Sequence, residues 1–86
     1  MRGIVVHHEH RIGFIVIRDP DGAFIVAKLK ENYDIERGDA VSGELHTAGH
    51  TVLLNETNGE EIPADIQQGT MTEEEAINLI VKTANA

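Results

Sequence analysis

The stretch IGFIVIRDPDGAFIVA, residues 12–27, decides the fold of this chain. Two runs rich in β-branched and aromatic residues, 12–17 and 23–27, flank the tetrapeptide DPDG at 19–22. Proline presets one turn dihedral and glycine tolerates a positive φ, so the tetrapeptide predicts a tight turn. The stretch is therefore predicted to form an antiparallel β-hairpin.

Both faces of this hairpin are apolar. One face carries Ile12, Phe14, Val16, Phe24 and Val26, and the other carries Ile15, Ile17, Ile25, Ala27 and Leu29. Because side chains alternate between the faces of a strand, an antiparallel sheet with two apolar faces needs cover on both. We expect one face to line a barrel core. The other is expected to lie under a C-terminal helix, with a second copy of the chain as the alternative cover.

Further strands are predicted on either side of the hairpin. The predicted strand bounds are 3–10, 12–18, 23–29, 40–46, 51–57 and 61–66. In the first strand, two-residue periodicity places Ile4, Val6, His8 and His10 on one face. Asn58-Gly59 is a type I′ hairpin signal between the last two strands. Pro63 has no N–H to donate to a ladder, which predicts an edge position for the last strand.

The pattern changes at Thr70. Thr72-Glu73-Glu74-Glu75 is a capping box, which predicts a helix over about 73–83. Its apolar stripe consists of Ala76, Ile77, Ile80, Val81 and Ala84. The predicted fold is mainly β, with a small antiparallel barrel of five to six strands in residues 1–69. One amphipathic helix, residues 70–86, is expected to pack on the same domain.

Four segments carry a family resemblance when they are read in order. They are Gly3-Ile4-Val5, Gly13-Phe14-Ile15, Ala23-Phe24-Ile25-Val26 and the run IERGDAV at 35–41. Their order and spacing over residues 3–55 resemble cold-shock proteins and related OB-fold chains. The resemblance implies an OB-like barrel that binds single-stranded nucleic acid by stacking bases on rings. Gly13, Phe14 and Phe24 match the family pattern, whereas Val26 and Ala27 replace its histidine and last phenylalanine, and Ile12 stands at another ring position.

Composition narrows the function. The net charge is −8, which opposes polyanionic partners at long range. Residues 1–30 carry five basic and three acidic side chains, whereas residues 31–86 carry two basic and twelve acidic ones. The hairpin half is therefore a locally positive region on an acidic protein. The absence of cysteine and of any apolar run long enough for a signal peptide or membrane span leads us to expect a soluble cytoplasmic protein.

Chemistry-bearing residues are few. The candidate metal ligands are His8, His10, His46 and His50. Without cysteines or a spacing signature, we predict no metal site and no cofactor. Ser42 is the one serine, and no histidine and carboxylate are arranged to activate it, so we predict no catalytic residues and no enzyme activity.

Two functions remain open from the sequence. The first is a small non-catalytic binding module for a protein partner or a second copy, with an interaction surface of Ile12, Phe14, Val16, Phe24, Val26, Ile77, Ile80 and Val81. The alternative is an aromatic-depleted, cold-shock-like protein that binds single-stranded nucleic acid through Phe14, Phe24, Arg11, Arg18, Lys28 and Lys30. Acidity and the scarcity of rings favour the first. The strand order and the positive hairpin half favour the second.

Overall fold

Six strands and one helix make up the fold in the computed structural model, which describes residues 2–31 and 33–84 and, at 68–71, the backbone alone. The elements are β1 (Arg2–Glu9), β2 (Phe14–Arg18), β3 (Phe24–Leu29), β4 (Ala40–Ser42), β5 (Gly49–Asn55), β6 (Glu60–Met71) and α1 (Glu73–Ala84). The strands form a closed antiparallel barrel in the order β1-β2-β3-β6-β5-β4. The predicted fold class is confirmed. The terminal residues of the predicted domain ranges, 1, 85 and 86, lie outside the described residues.

One carboxylate holds the turn between β2 and β3. Asp19 Oδ1 accepts hydrogen bonds from the backbone amides of Asp21 and Ala23, each 2.9 Å long. Aspartate side chains commonly bond to the backbone two residues further on and so stabilise turns. Gly22 adopts a φ of 87°, as a tight turn requires. The predicted hairpin is confirmed.

The inward face of the hairpin fills the barrel. Ile15, Ile17, Ile25, Ala27 and Leu29 belong to one buried cluster with residues of the other strands. Each is at most 5% exposed. Burial of one aliphatic side chain of the larger kind contributes about 1.5–3 kcal/mol to stability. This face is therefore a major source of the stability of the barrel.

The outward face of the hairpin is covered by α1. Phe14, Val16 and Val26 form a second buried cluster with Ala76 and Ile80, and Val6, Ile12, Phe24 and Leu79 pack at its margin. The prediction that the helix covers this face is confirmed. The surface that the family resemblance assigns to nucleic acid is therefore occupied by the helix of the same chain.

The capping box fixes the start of α1. The Thr72 hydroxyl accepts a hydrogen bond from the Glu75 amide at 3.2 Å, and the Glu75 carboxylate accepts one from the Thr72 amide at 3.0 Å. The hydrogen bond from the Thr72 backbone holds the pKa of Glu75 below its ordinary value. The predicted capping box is thus confirmed in both directions.

The helix buries a narrower stripe than predicted. Ala76 and Ile80 are buried, whereas Ile77 and Val81 are 52% and 51% exposed. Residues four apart form a ridge along a helix, and here one ridge packs on the sheet. Ile77 and Val81 lie about 100° further round the axis, so they lie beside the contact rather than in it.

The face predicted for the first strand is wrong. The register of β1 against β2 shifts between Val5 and His7, so Val6 is the extra residue of a β-bulge. On the N-terminal side of the bulge, Val5 is fully buried and Ile4 is 42% exposed. The bulge therefore breaks the alternation that would have placed Ile4, Val6, His8 and His10 together.

The edge position predicted for the last strand is also wrong. Strand β6 is twelve residues long and pairs with both β3 and β5. The Pro63 carbonyl accepts a hydrogen bond of 3.4 Å from the Lys30 amide, one residue past the last β3 pair, Leu29 with Ala64. The N–H and C=O of a strand residue point to the same neighbour. The N–H that Pro63 lacks would therefore point at the end of β3, so the ladder with β5 is kept.

Two connections differ from the prediction. Strand β4 ends at Ser42, because Gly43, with a φ of 149°, turns the chain out of the strand. Strands β5 and β6 are joined by a four-residue loop, because Asn55 pairs with Glu60. Asn58-Gly59 therefore does not form a two-residue type I′ turn.

Two alanine substitutions in α1 test its packing. We expect Ile80→Ala to lower the free energy of unfolding by about 2–4 kcal/mol, because it empties a buried site between helix and sheet. Ile77→Ala makes the same change at an exposed site of the same helix and should cost about 0.5 kcal/mol or less. Urea denaturation measures both. Equal losses would contradict the observed orientation of the helix.

Candidate interaction groove

A groove of about 610 Å³ lies between α1 and β1. Its apolar lining is Val6, Val16, Phe24, Ile77, Ile80 and Val81. Val16 and Ile80 are buried, whereas Ile77 and Val81 are about half exposed. The groove therefore has a buried apolar floor and an exposed aliphatic wall on the helix side.

Two backbone features form the opposite wall. The bulge places Val6 against the cluster beneath α1. The link before β4 is bonded to β1 at the same point, through Gly38 N to Val5 O at 2.7 Å and Val5 N to Asp39 O at 2.9 Å. These bonds hold Arg37 at the rim of the groove.

A second depression of about 500 Å³ continues the groove along β1. It shares Val6 and Arg18 with the groove and extends to Ile4 and Pro20. Ile4 is itself exposed. Large exposed aliphatic side chains that lie together mark binding surfaces more often than scattered ones do. The groove and this depression therefore form one candidate surface.

The groove is locally positive. Arg18 and Arg37 lie in its lining, and neither forms an ion pair within residues 2–31 and 33–84. Three other basic residues are paired: Arg2 with Glu56 at 3.1 Å, Arg11 with Glu9 at 3.5 Å and Lys30 with Asp65 at 2.7 Å. Glu73 is the one carboxylate among the described lining residues. A protein of net charge −8 thus has two cations at an apolar groove that form no ion pair among the described residues, while Asp19, the carboxylate of the second depression, is bonded to His46.

The aromatic rings do not form an open stacking platform. Phe14 is 5% exposed beneath α1, and Phe24 is half-buried at the margin of the same cluster. Tyr33 packs against the barrel core, where burial, Glu31 and Glu60 raise its pKa. Base stacking requires an accessible ring face. Of these three rings, Phe24 alone lies at the groove.

Of the four cations predicted for nucleic-acid binding, two lie beside the predicted rings and two are held in ion pairs. The four are Arg11, Arg18, Lys28 and Lys30, and one of them, Arg18, lies at the groove. The carboxylate of Asp65 holds the Lys30 ammonium, and the hydrogen bond from Lys30 outweighs burial and lowers the pKa of Asp65. Arg11 lies before β2 in the chain and is paired with Glu9. Arg18 and Lys28 lie directly opposite Phe24 and Phe14 in the β2–β3 ladder, and α1 covers Phe14 between them.

The eight residues predicted as an interaction surface divide by exposure. Phe14, Val16, Val26 and Ile80 are buried, Ile12 and Phe24 are half-buried, and Ile77 and Val81 are exposed. The buried residues make the contact between helix and barrel. Sequence reasoning missed Val6 and Arg37. Arg37 is one of only two basic residues in the acidic segment 31–86, and this could have marked it as a candidate binding residue. The sequence contains no comparable sign of the bulge that places Val6 at the groove.

The four histidines considered as metal ligands lie in three separate places, and the fifth, His7, lines the groove. The rings of His8 and His10 stack with centroids 3.8 Å apart, and His8 Nδ1 bonds to the Ile35 carbonyl at 2.8 Å. His46 and His50 each contact a different carboxylate. Within the described part of the chain, no three histidine, aspartate or glutamate side chains converge as a metal site requires.

Asp19 is a buried carboxylate that ties two loops together. Its Oδ2 lies 2.8 Å from Nε2 of His46, which lies in the loop between β4 and β5. Burial raises the pKa of Asp19, but hydrogen bonds from Ala23, His46 and Asp21 outweigh it and leave the pKa below its ordinary value. The folded protein therefore favours the ionised form of Asp19.

Comparisons with known proteins assign no family. No protein-family model matches the chain, and neither curated proteins nor solved structures give a significant match. The cold-shock resemblance therefore stays a prediction. Among the described residues, no helix is long and apolar enough to cross a membrane.

The linkage between Asp19 and pH is testable. Because its pKa is lower in the folded state, its charge adds stability above about pH 4 that is lost as the pH falls through the folded value. Wild type should therefore lose more stability than Asp19→Asn between about pH 5 and pH 2. Urea denaturation across this range measures the difference. Asp21→Asn removes the same charge from an exposed site of the turn, and an identical pH profile for both variants would contradict the assignment.

Proposed function

We propose that this protein is a non-catalytic interaction module that binds a segment of another protein in the groove between α1 and β1. One observation carries the proposal. Ile77 and Val81 stay about half exposed beside the buried pair Ala76 and Ile80. Ala76 and Ile80 make the contact that covers the hairpin. That contact therefore does not explain why Ile77 and Val81, which lie outside it, are also large and aliphatic.

The size and the apolar lining of the groove suit a short segment of protein chain as the ligand. In helix-in-groove recognition, aliphatic anchors three or four residues apart enter an apolar groove. A stable interface buries about 800 Å² on each partner, which is more than a groove of this size offers alone. The second depression, with Ile4 exposed along β1, extends the available surface in one direction.

A different protein fits this groove better than a second copy of the chain. Each copy carries a net charge of −8, and two whole copies bring all of this charge together, so they repel each other more than a short acidic segment is repelled. A second copy of the chain was the alternative cover for the outward hairpin face, but α1 already covers that face. Light scattering at micromolar concentration should therefore give the mass of a monomer.

Two aspartate substitutions test the groove. The probes are peptides selected from a random library on immobilised wild-type protein. Val81→Asp should weaken their binding by about tenfold or more, because it places a charge on the apolar wall. Val52→Asp is the matched control, since Val52 is 47% exposed on β5 outside the groove. Equal binding to both folded variants would contradict the proposal.

The nucleic-acid alternative makes the opposite prediction. We expect labelled single-stranded DNA and RNA oligonucleotides to give no saturable change in fluorescence anisotropy at low salt, because Phe14 is covered and two of the four basic residues are held in ion pairs. Binding that weakens steeply with salt, and that Phe24→Ala weakens further, would favour the alternative instead.

A further inference from the structure

We propose that the groove selects a protein segment that carries carboxylates beside its aliphatic side chains. This inference rests on the proposed function, because it states the chemistry of the segment bound there. Arg18 and Arg37 carry it. Both line the groove, and neither forms an ion pair within the described residues.

Arg18 lies between apolar neighbours at the end of β2. It is opposite Ile4 of β1 and Phe24 of β3. It is exposed and lines both the groove and the second depression. A carboxylate that reaches Arg18 therefore belongs to a segment already in contact with apolar surface. The planar guanidinium binds a carboxylate through two parallel hydrogen bonds, which fixes the orientation of the segment.

Arg37 reaches the groove from a different element. It lies in the link before β4, whose backbone is fixed to β1 by the bond from Gly38 N to Val5 O. Two cations presented by separate elements favour a segment with at least two carboxylates. Glu73, at the start of α1, lies at the same groove and disfavours an anion close to it. The charged side chains that line the groove are thus two arginines and one glutamate.

The total charge of the protein makes this preference diagnostic. A net charge of −8 attracts basic peptides and repels acidic ones at long range. At about 0.15 M salt the Debye length is about 8 Å, so contacts inside the groove outweigh distant charges. A preference for an acidic peptide must therefore come from cations at the binding site.

Three synthetic peptides test the inference against the 86-residue chain. They share leucines with the spacing of a helical apolar face, and their polar positions are all Glu, all Gln or all Lys. Fluorescence anisotropy at about 0.15 M salt gives their dissociation constants. We expect the Glu peptide to bind about tenfold tighter than the Gln peptide and the Lys peptide to bind weakest.

Charge reversals locate the preference. Arg18→Glu and Arg37→Glu should each weaken the Glu peptide by about tenfold and leave the Gln peptide nearly unchanged. Lys28→Glu makes an equal charge change at an exposed residue of β3 outside the groove, and it should change the dissociation constant of the Glu peptide little. Arg18→Gln is a milder second variant if the reversal lowers the melting temperature.

The outcomes separate this inference from the proposed function. Peptide binding that Val81→Asp weakens, but that is equal for the Glu and Gln peptides, overturns the inference and leaves the function standing. Peptide binding that Val81→Asp does not affect overturns the function and the inference with it. Displacement of the Glu peptide by single-stranded DNA, lost in Arg18→Glu, would also overturn the inference, because the two arginines would then serve phosphates.

Discussion

Two-sided burial of the β2–β3 hairpin is the constraint on which the rest of the structure depends. Alternate residues along the same strands enter different clusters, so that Ile15 lies in the barrel while Val16 lies under α1. The barrel closes over the first face through β6 and β4. The helix covers the second, and a helix with the twelve residues described here is at best marginally stable alone in water. Helix and hairpin face therefore stabilise each other.

Local patterns were sufficient for the parts of the fold that depend on neighbouring residues. The turn held by Asp19, the capping box at Thr72 and the alternation within the hairpin each involve groups a few positions apart. The bulge at Val6 and the interior position of Pro63 could not be predicted in this way. Both depend on which strand pairs with which, and in what register, and no short window of sequence contains that information.

The groove likewise combines features that follow from local sequence with features that follow from tertiary contacts. Periodicity placed Ile77 and Val81 on the apolar side of the helix, but it does not give the rotation of a helix on its sheet. That rotation decides whether the pair packs on the barrel or lies beside it. Arg37 reaches the groove because the link before β4 is bonded to β1 at Val5. The charged half of the site therefore follows from tertiary contacts, and the aliphatic half follows largely from local sequence.

The covered hairpin also bears on where a ligand can bind. Separating α1 from the sheet uncovers the outward side of Phe14, Val16 and Val26, and exposing apolar surface to water costs free energy. The form with α1 separated is therefore a minor one. A ligand that needed the covered face would lose affinity in proportion to the population of that form. A ligand in the groove loses none of it, because Ile77 and Val81 are accessible while the helix stays docked.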